Sequence, residues 1–258
     1  SNSFKSINNI AKNYNTSSNY LDANNNLIIP SGIDSFISEI VSKQFAVTNE
    51  DFNTINYLND RKNRLTSNNL IIGSSFSLSN KSINNIYNNE FSEFKLKVEL
   101  AGNLTNLTSN LLNVSKDEFG NNKVLGLTFS QFIKTETGYI KHWPIGLNSI
   151  IAFRSFFGLA IPFGNSNNIP FSKSFFAGGS NDNRAWEVYR LGPGSSEALS
   201  EFNEANMKIA MNIEYRFKIL GRIDGALFTD IGNIWNVFDD TKDSKRKFNS
   251  LKDLDEIA

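Results

Sequence analysis

The sequence predicts an all-β chain that forms part of a transmembrane antiparallel β-barrel with long extracellular loops. Three observations predict it. From about residue 67 onward, apolar side chains recur at every second position instead of every third or fourth. The alternating segments run close to the roughly 9–11 residues that cross a bilayer as tilted strands, longer than the ~5–6 of ordinary strands. Tyr139, Trp143 and Trp235 lie at segment ends on the apolar side, where aromatic rings collect at a membrane interface. A water-soluble β-sandwich also alternates, and it stands as the other reading of the pattern.

Composition narrows the function. The 258 residues carry 26 Lys+Arg against 26 Asp+Glu, so no basic excess points to nucleic acid. With no Cys and only His142, thiol catalysis, Cys-ligated zinc and His-based triads are not expected. The chain reads as a non-enzyme with no cofactor and no metal. No stretch reaches the roughly 18 apolar residues of a spanning helix, since Asn148, Ser149, Arg154 and Ser155 interrupt even the richest one. The opening residues Ser1 to Lys5 show no targeting signal, which reads as a processed chain or an interior piece of a longer one.

Residues 1–66 are expected to form an elaborated extracellular loop region with short helices. Ile33, Phe36, Ile37, Ile40 and Val41 keep the spacing of a helix with one apolar face. A second helix starts at the N-cap candidates Thr48 and Asn49, with Phe52, Ile55 and Leu58 on one side. Residues 67–258 are expected to be the partial barrel. Its segments place on their apolar faces Leu70, Ile72, Phe76 and Leu78; then Phe94 to Leu100; then Leu125, Leu127, Phe129 and Ile133; then Ile151 to Ile161; then Met207 to Ile219; and finally Ile223, Leu227 and Ile231. Lys95, Lys97, Glu99 and Arg154 face the other way and are expected to hydrate a lumen. Six strands fall short of the smallest membrane barrels, which have about 8. Further strands must therefore come from another chain or segment, because open edges are costly in lipid.

The last two segments set their own register. A three-residue turn Leu220-Gly221-Arg222 puts residue 219 opposite 223 and Lys218 opposite Asp224. Glu214 then faces Phe228, with Asp230 its diagonal neighbour about 7–8 Å away. Two carboxylates so placed invite a cation. The connection 164–204 supplies one. It is too long for an ordinary hairpin loop, and its centre reads Phe175-Phe176-Ala177-Gly178-Gly179, then Arg184-Ala185-Trp186, then Leu191-Gly192-Pro193-Gly194. Phe and Trp rings are poorly placed in water, so the loop is expected to fold into the lumen, bury them and bring Arg184 to Glu214 and Asp230.

The loop motif, followed by Glu214-Tyr215-Arg216-Phe217 and by Phe228-Thr229-Asp230-Ile231-Gly232-Asn233-Ile234-Trp235, resembles the bacterial surface antigen family, the barrels of the BamA/TamA-type outer-membrane assembly factors. The likeness covers about residues 125–237, and three motifs occur in family order. It implies a sixteen-stranded outer-membrane barrel whose sixth extracellular loop enters the lumen and docks its arginine on inner-wall carboxylates. Ala185 stands where the family has glycine, a departure that leans toward the TamA-like branch. The likeness further implies residence in the bacterial outer membrane, contact with its lipids, client outer-membrane or surface proteins, periplasmic POTRA repeats and a periplasmic bridging partner. The implied role is assisting insertion, assembly or translocation of such proteins. A secretion pore of the same superfamily and a passive porin or receptor are the other readings.

Two weaker signals yield to plainer ones. Asp239, Asp240 and Asp243 lack the spacing of a calcium loop and read as a solvated loop. His142, beside Trp143 and Pro144, reads as an interfacial residue.

Overall fold

The computed structural model describes residues 2–14, 19–42, 46–66, 68–85, 90–106, 115–117, 120–196, 203–241 and 243–258. The chain divides into two compact units, one helical and one β, with the change near residue 67.

The helical unit contains α1 (Asn2–Lys12), α2 (Ser31–Val41) and α3 (Asn49–Thr66). The periodic residues of α2 close the core as expected: Phe36, Ile37 and Ile40 are buried with Ile55 and Leu58 of α3. Thr48 accepts a hydrogen bond from the Asp51 N–H and so caps α3. Helix α1 had no counterpart in the sequence reading. Its Asn-rich surface hid the apolar stripe Ile7, Ile10 and Ala11, which packs into the same core.

In the β unit, β1 (Asn69–Leu70), β4 (Lys123–Val124) and β5 (Leu127–Phe129) make a small three-stranded sheet in the order β1-β5-β4. The main sheet contains β2 (Gly73–Asn85), β3 (Glu90–Ala101), β6 (Phe132–Pro144), β7 (Ser149–Pro162), β8 (Met207–Leu220) and β9 (Ile223–Trp235), in the order β2-β3-β6-β7-β8-β9. Every neighbouring pair in it is antiparallel. The sheet is open, with β2 and β9 at its edges. Among the described residues no helix is long and apolar enough to cross a membrane.

Period-2 alternation fixes the two faces of the main sheet. Phe76, Leu78, Phe94, Ile133, Phe157, Met211, Ile213, Tyr215, Leu227 and Ile231 share the outer face and are exposed, Phe76 at 63% and Leu227 at 67%. The inner face carries the charged residues and, at one end, an apolar patch. There Ala101, Phe132, Ala160 and Ile234 of the wall are buried under Ile169, Phe175, Ala177 and Leu191 of the long connection. The core of this unit therefore lies between the inner face and the loop, while the opposite face is greasy and uncovered.

Several expectations change. The third alternating segment is two pieces: Leu127–Phe129 belongs to the small sheet, and β6 begins afresh at Phe132. The break leaves a mark in the sequence, because polar Gln131 falls at an apolar position of the alternation and apolar Phe132 at a polar one. Trp235 is not an interfacial ring. It is fully buried, packs edge-on against Phe248 at 5.6 Å and donates from Nε1 to Glu256 at 2.9 Å. Tyr139 sits within β6 rather than at its end, whereas Trp143 is near the end and 42% exposed. The acidic segment after β9 is not a solvated loop. Asp243 caps a short 3-10 turn and pairs with Arg246, which is buried, and Ala258 exchanges both backbone hydrogen bonds with Gly232.

Candidate functional site

The hairpin β8–β9 builds the wall of the site. Its register matches the expected one along most of its length: Lys218 faces Asp224, Glu214 faces Phe228, and Asn212 faces Asp230. Only the end differs. Leu220 pairs with Ile223 across the two residues Gly221 and Arg222, and Ile219 becomes the extra residue of a bulge. The deviation lies beyond Lys218 and leaves the carboxylates in place.

The loop reaches that wall as a series of tight turns. Phe175 and Ala205 exchange backbone hydrogen bonds at 2.7 and 2.9 Å, which closes the base of the loop. Gly178 then turns with φ +98°, and a Cβ there would meet the Glu187 carbonyl oxygen at 2.2 Å, so only glycine fits. Gly179 follows in the same turn and donates to the Trp186 carbonyl at 2.8 Å. Asp182 accepts the Gly178 N–H at 2.8 Å and ties the turn shut. At the far side, Leu191 and Pro193 are buried, and Gly194 donates to the Ile234 carbonyl at 2.7 Å beside Gly192. Gly232 on β9 gives the loop room: a Cβ there would lie 2.9 Å from the Asn183 side-chain oxygen and 2.7 Å from the Ile209 carbonyl.

Arg184 stands where these turns deliver it. Its Nε and Nη2 donate to the two oxygens of Asp230 at 2.7 Å each, a bidentate pair, and its Nη1 donates to Glu214 at 2.7 Å. Its main-chain N–H adds a further bond to Asp230 at 3.1 Å. The Phe228 ring lies 3.6 Å from the guanidinium carbon, so the cation is bonded at its edges and stacked on its face. Asp230 also accepts from Asn212 at 2.9 Å, and Glu214 from Arg216 at 2.7 Å. Two cations and two anions thus balance. Hydrogen bonds to Asp230, then to Glu214, push the Arg184 pKa further up, and the group stays charged.

The remaining loop contacts were missed or read differently. Arg154 donates to the Asn181 carbonyl, and Glu99 pairs with Lys173, so both wall residues hold the loop rather than only hydrating a lumen. Lys208 pairs with Asp182 at 2.8 Å. The buried Asn183 side chain donates to the Gly232 and Ala258 carbonyls. The signal was present in part, because Lys208, Asn212 and Glu214 share one parity on one strand. Conversely, Phe176 and Trp186 were expected to be buried. Phe176 is 40% exposed and stacks on Tyr189 at 4.3 Å, and Trp186 is 42% exposed. The buried ring is Phe175. Ala185 is exposed, so the turn accommodates its methyl group. Among the described residues no group of three or more His, Cys, Asp or Glu is placed to hold a metal ion.

An antiparallel sheet with an apolar outer face, and a long loop locked by an arginine onto carboxylates of its inner face, define a partial β-barrel of the outer-membrane kind. The chain belongs to the Omp85 superfamily, whose domain model matches residues 3–255. Proteins of this superfamily are bacterial outer-membrane β-barrels associated with protein insertion and secretion. No curated protein matches the chain.

Proposed function

We propose that this chain is the partial barrel of a BamA/TamA-like factor in the bacterial outer membrane that assists insertion, assembly or translocation of outer-membrane or surface proteins. The observation that carries the proposal is the docked loop, whose residues between Ile169 and Gly194 cover one end of the inner face and are pinned by Arg184. A channel that conducts small solutes needs an open lumen, whereas an assembly factor needs a braced wall and an accessible strand edge to which a client can add strands. No covalent chemistry is involved. The remaining strands, periplasmic POTRA repeats and a periplasmic bridging partner complete the working assembly.

Depletion of the full-length protein tests the reading. The levels of other outer-membrane barrels, or of surface proteins, are expected to fall, and the Arg184→Ala form is expected to restore them poorly. Unchanged barrel levels together with a large ion conductance after proteolytic removal of the loop would favour the secretion-pore alternative.

A further inference from the structure

Arg184 is one ionic anchor of the loop, besides the backbone bonds at its base and far side. Two residues before it stands a charge of opposite sign, Asp182. Its carboxylate accepts from Lys208 Nζ at 2.8 Å, and each of these side chains is only 12% exposed. Lys208 also donates to the Phe176 carbonyl at 2.7 Å, and its ammonium lies 5.7 Å from the Phe156 and Phe176 ring centres. Between the two ionic contacts, Asn212 donates to the Asp182 carbonyl at 2.8 Å.

We propose that Lys208 and Asp182 are positioning residues that fix the register in which the loop docks. Along the loop the charges run negative then positive, Asp182 then Arg184. Along the inner face of β8 they run positive, negative, positive: Lys208, then Glu214, then Arg216 and Lys218. A slide of the loop toward the Gly221 turn sets Asp182 against Glu214 and Arg184 against Arg216, and a slide the other way sets Arg184 against Lys208. Like charges in a half-desolvated site repel strongly, so the wrong dockings are excluded as well as the right one favoured. Lys208 further grips the loop on both sides of Ala177, at the Phe176 carbonyl and, through Asp182, at the Gly178 N–H. The inference rests on the reading that the protein works with this loop docked, but its test measures docking alone.

These 258 residues contain no Cys, so Ala177→Cys, in a full-length protein with any cysteine outside them replaced by Ser, provides a reporter at a site only 1% exposed. The quantity measured is the rate of maleimide labelling of that thiol in membranes. Lys208→Met keeps an apolar stem against the two rings and removes the charge. It is expected to raise the rate about tenfold or more, whereas Lys208→Arg stays near the parent. Lys208→Glu is expected to raise it further, and adding Asp182→Lys to Lys208→Glu is expected to bring it back. Parent-like labelling in Lys208→Met, or a charge-swapped pair that labels as fast as Lys208→Glu, would overturn the proposal. If the reversed variants fail to fold, the Met and Arg forms decide it, since equal rates in those two also overturn it. Client assembly is not part of the readout, so loss of the functional reading and loss of this one are distinguishable.

Discussion

Three N–H groups of one residue converge on Asp230, whose side chain is 5% exposed, while Glu214 receives a fourth, from Nη1, and is 18% exposed. The two carboxylates are therefore not equivalent. Removing the cation with Arg184→Ala leaves Asp230 to Asn212 and Glu214 to Arg216 in a half-covered site. In a dry interior that costs about 3–5 kcal/mol, and access of water from the open side reduces it here. The expected result is a barrel that still folds but whose loop becomes protease-sensitive and whose heat-modifiable gel mobility shifts to lower temperature. Arg184→Lys should fall between the two, because an ammonium keeps the charge but cannot span both oxygens of Asp230 and stacks less well on Phe228. Asp230→Asn should lower the transition more than Glu214→Gln, since it disturbs the bidentate pair, the main-chain bond and the Asn212 contact together. Equal shifts for the two would contradict this ranking of the anchors.

Between the strands and the loop, shape matters as much as charge. Gly158 of β7 lies under the Phe175 ring, and a Cβ at that position would approach the ring carbons to 2.5 Å. Lys134 completes the pocket, with its ammonium 4.2 Å from the ring centre. Gly158→Val should lift Phe175 and loosen the base of the loop, at about 1–3 kcal/mol as for other overpacked sites, while leaving the strand pairing intact. Limited proteolysis at the loop, compared with circular dichroism of the sheet, checks this: early cleavage with an unchanged β spectrum is expected. The elements themselves were legible because each strand repeats its alternation many times, and parity survives any error at the ends. The Glu214–Phe228–Asp230 relation was legible for the same reason. What alternation cannot encode stayed hidden. The bulge at Ile219 depends on turn geometry. Helix α1 was masked by Asn side chains that do not reveal which face is covered. Loop contacts such as Lys208 with Asp182 join positions far apart in sequence, where only the folded wall shows which residues meet. The burial of Trp235 stayed hidden because Phe248 and Glu256, which cover it, lie in a charged segment whose pattern does not point back to β9.

Across the whole β unit, the register and the apolar band disagree in an informative way. Glu214, Ala152, His142, Phe91 and Ile83 lie in one row across five strands. On β8 the outward apolar residues continue past that row to Ile219, whereas on β2 they stop short of it at Leu78. The band thus crosses the rows obliquely. Strands tilted by about 35–45° in a barrel produce that slant, because a level belt of lipid meets each successive strand at a shifted residue. A sandwich in water has no reason to keep such a belt on an uncovered face, where Phe76, Ile213 and Leu227 are exposed. Neighbouring substitutions on one strand separate these environments. Phe76→Arg places a charge on the outer face of β2, and Ser77→Arg places one on the inner face, a single residue away. In lipid vesicles Phe76→Arg is expected to cost up to about 2–4 kcal/mol of folding free energy, depending on its depth, and Ser77→Arg close to nothing. In a soluble protein Phe76→Arg would be neutral or would improve solubility. Urea titrations of the full-length protein refolded into vesicles measure the difference directly, and equal midpoints for the two variants would remove the physical basis for placing this sheet in a bilayer.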